Sequence, residues 1–377
     1  MTLSIASTGA VCAILAVAHL VSILIALARV RAATGANAIS NRFDPVSILR
    51  PMCGVENFAE DTLRSAFVLD YPHYELLLCV AQSTDPVVPL TRRLIAAHPH
   101  VAARLLIGNE RISGNPKLNN LVKGWAAARH DWIVMGDSNV LMPPDYVERL
   151  LAAWRPDTGL VCSPPIGCAP DGLWAELECA FLNTYQARWQ YAADALGFGF
   201  AQGKTMLWRR DVLDAGGGLR ALAAEVAEDA AATKLVRGLG LRVRLVGSPF
   251  PQPLGARSLR DVWQRQVRWA RLRRDTFKLF FLPEIAAGAV LPLAASVAFA
   301  AESGWPVAGV AAAFAAAWYG AEALLAHAAG WHLSCRAPLA WMLRDILLPV
   351  LWVKSWMGND FVWRGHAMHV ADRSSSA

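Results

Sequence analysis

Apolar positions follow three regimes along the chain, and each regime predicts a different kind of element. Across residues 5–28 the run is broken only by Ser, Thr, Gly and His19, and the first fixed charge comes at Arg29. That length suffices to cross about 30 Å of hydrocarbon. A cleaved leader would place Lys or Arg ahead of a shorter apolar core, whereas Arg29 and Arg31 follow this run. The expectation is an uncleaved signal anchor over residues 1–30, with its carboxyl side in the cytoplasm by the positive-inside rule.

A polar hinge, residues 34–42, leads into the second regime, where short apolar runs alternate with helix-like stretches. Residues 46–50, 74–80, 103–107, 131–135 and 159–163 read as strands; residues 56–69, 86–97, 116–129 and 143–154 read as helices. Pro116 suits the first turn of its helix, where no N–H is needed. This alternation predicts an α/β domain over residues 44–257, Rossmann-like, with a largely parallel sheet. Ligands of such sheets sit beyond the carboxyl ends of the strands. Asp85 and Asp137 both fall in that zone.

The third regime begins at residues 258–281, where Arg260, Arg265, Arg268, Arg271, Arg273 and Arg274 are interleaved with Val262, Trp263, Val267 and Trp269. That pattern fits a basic, aromatic amphipathic helix lying in the headgroup layer, with a solvated charged face as the plainer alternative. Residues 285–301 and 306–326 are strongly apolar; a third stretch, 339–357, holds Arg344, Asp345 and Lys354. For this last one a re-entrant or interfacial placement is expected ahead of a full span. Residues 361–377 read as a polar tail.

Composition adds bounds. Hydrophobic residues are 55% of the chain, too many for a wholly soluble enzyme, and the formal charge is +6. A basic balance suits anionic phosphates or anionic lipid. Nucleic acid is disfavoured as a partner, because no basic helix or aromatic motif of a known reader is present. The seven cysteines are odd in number and scattered, which points to reduced thiols in place of disulfides or a zinc site.

Several residues could carry chemistry. Asp85, in Gln82-Ser83-Thr84-Asp85-Pro86, could accept hydrogen bonds from a base or ribose, or simply cap a helix. Asp137, with Asn139 two residues on, could hold a divalent cation (Mg2+ or Mn2+) whose shell phosphate oxygens complete, neutralising a departing diphosphate; a turn-capping role is the alternative. Glu228 and Asp229 open a helix, where one of them could deprotonate an attacking hydroxyl or merely favour the helix dipole. Arg265 and Arg268 share a helix face beside Trp269 and could hold pyrophosphate and acceptor. Residues 197–205 resemble a Walker A loop without its first glycine, position 198 being Phe. His98 with His100 and His366 with His369 lack acidic or Cys partners at metal spacing.

Together these residues resemble the ceramide glucosyltransferase family, glycosyltransferase family 21, from about residue 47 to 281. The resemblance rests on Asp85 in QSTDP, Asp137 in GDSN, Asp229 in AEDA, and Arg265-Gln266-Val267-Arg268-Trp269. Asn115-Pro116-Lys117-Leu118-Asn119-Asn120-Leu121 and Gly203-Lys204-Thr205-Met206-Leu207-Trp208-Arg209-Arg210, with Gly216-Gly217, also match. It implies a GT-A fold, a UDP-sugar donor, inversion at the anomeric carbon and a membrane-lipid acceptor. By the same token Asp85, Lys117, Asp137, Arg265, Arg268 and Trp269 would bind the nucleotide-sugar, Asp137 and Asn139 the metal, and Asp229 would be the general base. Two departures stand out: Asn139 is neutral where a full DxD has a second acid, and Ala230 follows the acidic pair where an aromatic is common. The expected enzyme is a multi-pass membrane protein of the cytoplasmic membrane that glycosylates ceramide or diacylglycerol. A hopanoid-associated transferase, a processive polysaccharide synthase and a non-catalytic adaptor of the same fold remain open as alternatives.

Overall fold

The computed structural model describes residues 2–35, 44–363 and 366–370. Most of the polar hinge and the serine-rich end of the tail lie outside the described residues. The strands, in chain order, are β1 (Val46–Met52), β2 (Tyr74–Val80), β3 (Ala102–Ile107), β4 (Trp132–Gly136), β5 (Thr158–Cys162), β6 (Ile166–Asp171), β7 (Thr205–Arg209), β8 (Arg242–Leu245), β9 (Pro251–Ala256), β10 (Asp360–Trp363) and β11 (His366–His369). Seven of them form one sheet in the order β3-β2-β1-β4-β7-β5-β8. Every neighbouring pair is parallel except that β7 runs antiparallel to β4 and β5. The α/β, largely parallel sheet expected from the sequence is what the chain forms.

The sheet is covered on both faces, which explains its continuous apolar strands. Alternate residues serve opposite cores: Leu49, Leu77 and Ile133 on one side, Ile48, Leu76, Leu78 and Val134 on the other. The first core is continuous with Ile23, Ala26, Leu27 and Val30 of the long helix Thr2–Gly35, and with Leu325, Ala326 and Trp331 near the far end of the chain. The α/β domain and the apolar helices therefore share one packed interior.

Among the described residues two helices are long and apolar enough to cross a membrane, Ala6–Ala32 and Val307–Ala328; Lys278–Ala286 with Val290–Glu302 forms a further pair bent by 43°. Helix Ala337–Trp356 carries Arg344 and Asp345, both fully buried. Arg344 makes a bidentate pair with Glu322 at 2.8 and 2.9 Å and a third bond to Asp345 at 2.8 Å. Arg188, in the α/β domain, lies 3.9 Å from Glu322 and 2.6 Å from Nδ1 of His19. Arg344 and Asp345, two of the three charges in residues 339–357, are thus paired with each other and with Glu322, as buried charges must be, while Lys354 is exposed in the last turn.

The basic segment also differs from the expected continuous helix. A capping box of Ser258 and Asp261 starts helix Leu259–Thr276, and the chain breaks at Phe277 before the short turn Lys278–Phe281. Val262, Gln266, Val267, Ala270 and Arg274 are buried, so part of this helix packs inside the protein. Residues 361–363 and 366–369, expected within a polar tail, instead belong to β10 and β11, which pair antiparallel, and Phe361 and Met368 pack on Val226 and Leu272.

Candidate active site

Strand order reverses at β1, with β2 and β3 on one side and β4 on the other. A crevice opens at the carboxyl ends of strands around such a switch point. Gly54 follows β1, Asp85 follows β2 and Asp137 follows β4, and all three elements converge there. Asp85 accepts N–H bonds from Gly54 at 3.0 and 3.1 Å and from Val87 at 2.9 Å. It thus holds the first backbone N–H of helix Val87–Ala97 from one residue ahead of the N-cap, Pro86, and its carboxylate also borders the crevice.

The Asn115-Pro116-Lys117 stretch does three jobs at one helix start. Asn115 Oδ1 accepts from the backbone N–H of Lys117 at 2.9 Å and of Leu118 at 3.2 Å, while its Nδ2 donates to Glu228 at 2.7 Å. Asn120 donates to Cys79 O at 2.8 Å and Met52 O at 3.3 Å, pinning the ends of β2 and β1. The Lys117 ammonium meets Asp137 at 2.7 Å, Glu228 at 2.7 Å and Gly203 O at 2.5 Å. Its three N–H donors are matched by three acceptors.

Gly203-Lys204, a stretch the sequence marked only by resemblance and gave no role, is a hub of the site. Gly203 N–H donates to Asp229 Oδ2 at 3.0 Å. Lys204 O accepts from Asp137 N–H at 2.9 Å, and Lys204 Nζ lies 3.1 Å from Asp137 Oδ2 and 3.2 Å from Asn139 Oδ1. The β4–β7 register, Gly136 opposite Thr205, sets this geometry. A Cβ on Gly203 would come within 2.7 Å of Glu228 Oε1, so any other residue there would displace the Glu228 carboxylate. A strand follows this segment and a helix precedes it, so it is no Walker A loop.

Asp137 and Asp229 are driven in opposite directions. Burial alone would raise the Asp137 carboxyl, but the ammonium groups of Lys117 and Lys204 outweigh it and hold it well below the usual carboxylate range. Asp229 is pushed up to about 6 by burial and by the neighbouring Glu228 charge, with Lys117 opposing. Its carboxylate keeps two N–H donors, Gly203 and Ala230, the latter at 2.8 Å. A charged anchor next to a carboxylate poised near neutrality is the separation of roles that acid–base chemistry requires.

Arg265 pairs with the buried Glu178, which Arg257 also approaches at 3.5 Å. Trp269 packs on Cys179, Leu182 and Leu254. Arg265, Arg268 and Trp269 all line the same cleft as Asp85, Lys117, Asp137, Asn139, Lys204 and Asp229. Every site residue expected from the sequence is therefore on one cavity wall. Its volume is about 1780 Å3, well above the ~300–1,000 Å3 of a single small-ligand site, and it runs on to Leu15, Ala18, His19 and Trp318 of the apolar helices.

For a divalent cation the donor set is Asp137 and the amide oxygen of Asn139, with Glu56 3.1 Å from Asn139 Nδ2. Mg2+ commonly takes one or two carboxylates and completes its shell with substrate phosphates, so this corner fits a cation that comes with a diphosphate. Lys117 and Lys204 already hold both Asp137 oxygens. Among the described residues no group of three or more His, Cys, Asp or Glu could hold a metal, the histidine pairs included. All seven cysteines are free thiols.

The chain thus joins an α/β domain to helices long and apolar enough to cross a membrane, and gathers acidic and basic residues at the strand tips. The chain belongs to glycosyl transferase family 21, whose family model matches residues 13–375. It is 27% identical to ceramide glucosyltransferase 1 of Caenorhabditis elegans over 60% of this chain and 49% of that protein. It is 25% identical to ceramide glucosyltransferase 3 of the same organism, over 86% and 72%. With the ceramide glucosyltransferase of Komagataella phaffii it shares 30% over 61% and 56%. The chain thus spans about half the length of the first of these relatives. Among solved structures it is similar to the mannosyltransferase PcManGT from Pyrobaculum calidifontis in complex with GDP-Man and Mn2+, at 20% identity and a TM-score of 0.49, covering 93% of this chain and 99% of that one.

Proposed function

We propose that the protein is an inverting transferase that moves a hexose, glucose foremost, from a UDP-sugar to the hydroxyl of a membrane lipid, ceramide or diacylglycerol, at the cytoplasmic face of the cell's inner membrane. One observation carries this reading. A single cleft joins the charged corner around Asp137 to a carboxylate poised near pH 6, Asp229, and then continues between apolar helices.

In this scheme Asp85, at the β1–β2 tips, receives the base or ribose. Lys204, Arg265 and Arg268 face the diphosphate. A divalent cation held by Asp137 and Asn139 would add charge neutralisation on the departing UDP. Lys117 keeps Asp137 and Glu228 in register. Asp229 takes the proton from the lipid hydroxyl as its oxygen bonds to the anomeric carbon, on the face opposite the breaking bond to UDP. Sugar passes to the lipid oxygen, the proton to Asp229, and the bonding pair to UDP. Trp269 offers a face on which sugar and acceptor can be ordered.

The test is transfer itself. Membranes containing the protein receive UDP-glucose with ceramide or diacylglycerol, and mass spectrometry and NMR of the lipid product read the sugar and its anomeric configuration. A new β-glucosyl lipid supports the reading. Release of free glucose with no glycolipid, or an α-linked product, overturns it.

A further inference from the structure

The membrane end of the cleft has two facing aromatic walls. Phe198 lies in the loop after helix Arg188–Ala195 of the catalytic domain, and Phe280 in the turn Lys278–Phe281 that leads into the apolar helices. Their rings are in tilted contact, 5.7 Å centroid to centroid, so the two walls meet there in one apolar edge. Both line the cleft, yet they remain 51% and 54% exposed, with Leu196 at 69% and Leu279 at 82% beside them. Exposed apolar surface of this kind marks contact with a membrane or a ligand. The same cleft is also lined by Leu15 and Ala18 of the long apolar helix Thr2–Gly35.

A second observation ties this mouth to the chemistry. Helix Glu228–Gly238 carries Asp229 in its first turn and Arg237 in its last. The guanidinium of Arg237 donates to Phe198 O at 3.2 Å and Gly199 O at 3.1 Å, and lies 5.9 Å from the Phe277 ring centre. It therefore holds the Phe198 loop and touches the other wall. Asp229 and Arg237 are eight residues apart, about 12 Å along a helix axis at 1.5 Å per residue. A hydroxyl placed at Asp229 would have its aliphatic chain leave alongside this helix and emerge over the exposed faces of the Phe198–Phe280 pair.

We infer that the Phe198–Phe280 mouth is the lateral port and binding site for the aliphatic chain of the acceptor lipid. This rests on the lipid-acceptor reading above. The occupant follows from the surroundings: the port is continuous with the catalytic cleft, adjoins helices able to span a bilayer, and has apolar walls. The port selects for chain, whereas Asp229 selects for hydroxyl.

The experiment compares two acceptors in phosphatidylcholine nanodiscs with UDP-glucose: a ceramide with long chains and one with both chains shortened to six carbons. Phe198→Ser, Phe280→Ser and the double variant are measured against the parent protein. The expected result is a fall of about tenfold in kcat/KM for the long-chain acceptor, less than twofold for the short one, and an unchanged KM for UDP-glucose. A diazirine on the long acyl chain should label peptides containing Phe198 and residues 278–282 in the parent, which keeps the inference testable if a variant folds poorly. Equal losses on both acceptors, or labelling confined to other surfaces, overturn the port. A parent protein that binds UDP but glycosylates neither lipid, and shows no such labelling, overturns the lipid-acceptor reading as well.

Discussion

Near the strand tips, Asp85, Lys117, Asp137 and Asp229 each have two or more fixed partners within hydrogen-bond distance, whereas Phe198, Phe280, Leu15 and Ala18 at the membrane end offer only shape. The first region spends its interactions before any ligand arrives. Charges held in place need no reorganisation as a reaction proceeds, and in a dry pocket they act strongly. The second region has nothing directional to misalign. Such a contrast suits a reaction with one invariant polar partner and one whose chains vary in length. The half with fixed charges should therefore be intolerant of single-atom changes, and the apolar half tolerant of them.

The most damaging change to the polar half is Asp229→Asn. It keeps the size of the side chain and one acceptor for Gly203 N–H, but removes the basic oxygen. Transfer is expected to fall by about 10^2–10^4-fold, with UDP affinity within a few-fold of the parent. Product formation and UDP titration calorimetry measure the two separately. Retained turnover would break the assignment of Asp229. Next comes Lys204→Met, which removes one ammonium from Asp137 and Asn139 while Lys117 stays. A charge-assisted contact contributes about 1.5–3 kcal/mol, so UDP affinity should weaken roughly tenfold to a hundredfold with the acceptor KM little changed. An equal effect on both substrates would dissolve the contrast between the two halves.

Much of the polar half was legible because each acid follows a strand that periodicity alone locates. Strand β2 has the predicted bounds, and Asp85 and Asp137 stand where a parallel sheet places ligands. The helix expected over 56–69 is only Ala59–Ser65. Asn57 is drawn off to Leu254 O and Ala256 O beside β9, and Phe58 takes a positive φ of 59°, long-range causes with no local signature. Gly203-Lys204 was visible as a matching stretch, but its role as a hub stayed hidden for the same reason. It depends on antiparallel β7 pairing with β4, residues far apart in sequence. The pairing of Glu322 with Arg344 likewise joins two helices, and hydropathy counts each charge as if it stood alone.

The acid side of the pH profile sharpens the picture within the polar half. Asp229 acts as a base only when ionised, so kcat/KM should rise with pH through about 6 and then level off. Glu228→Gln removes the neighbouring charge that helps raise it and leaves the Lys117 ammonium, which lowers it, less shared. The acid limb of that variant should move to lower pH. A limb that stays put, or moves up, would mean another group controls the ionisation.

The smallest effect should come from removing divalent cations. Asp137 is the only carboxylate contributed by the Asp137-Ser138-Asn139 turn, and Lys117 and Lys204 already meet its two oxygens. A dication arriving with the diphosphate must share that carboxylate with two ammonium groups, so it adds to a charge that the chain itself partly supplies. Chelation by EDTA is expected to slow transfer by less than about tenfold, in line with a cation bound chiefly through substrate phosphates. In Lys204→Met the same treatment should cost more, because the resident charge has been halved. Activity in EDTA, measured for both proteins across a Mg2+ and a Mn2+ titration, separates the two contributions. A parent enzyme silenced by EDTA would show that the lysines position Asp137 without standing in for the metal, and the polar half would then be incomplete until its substrate brings the ion.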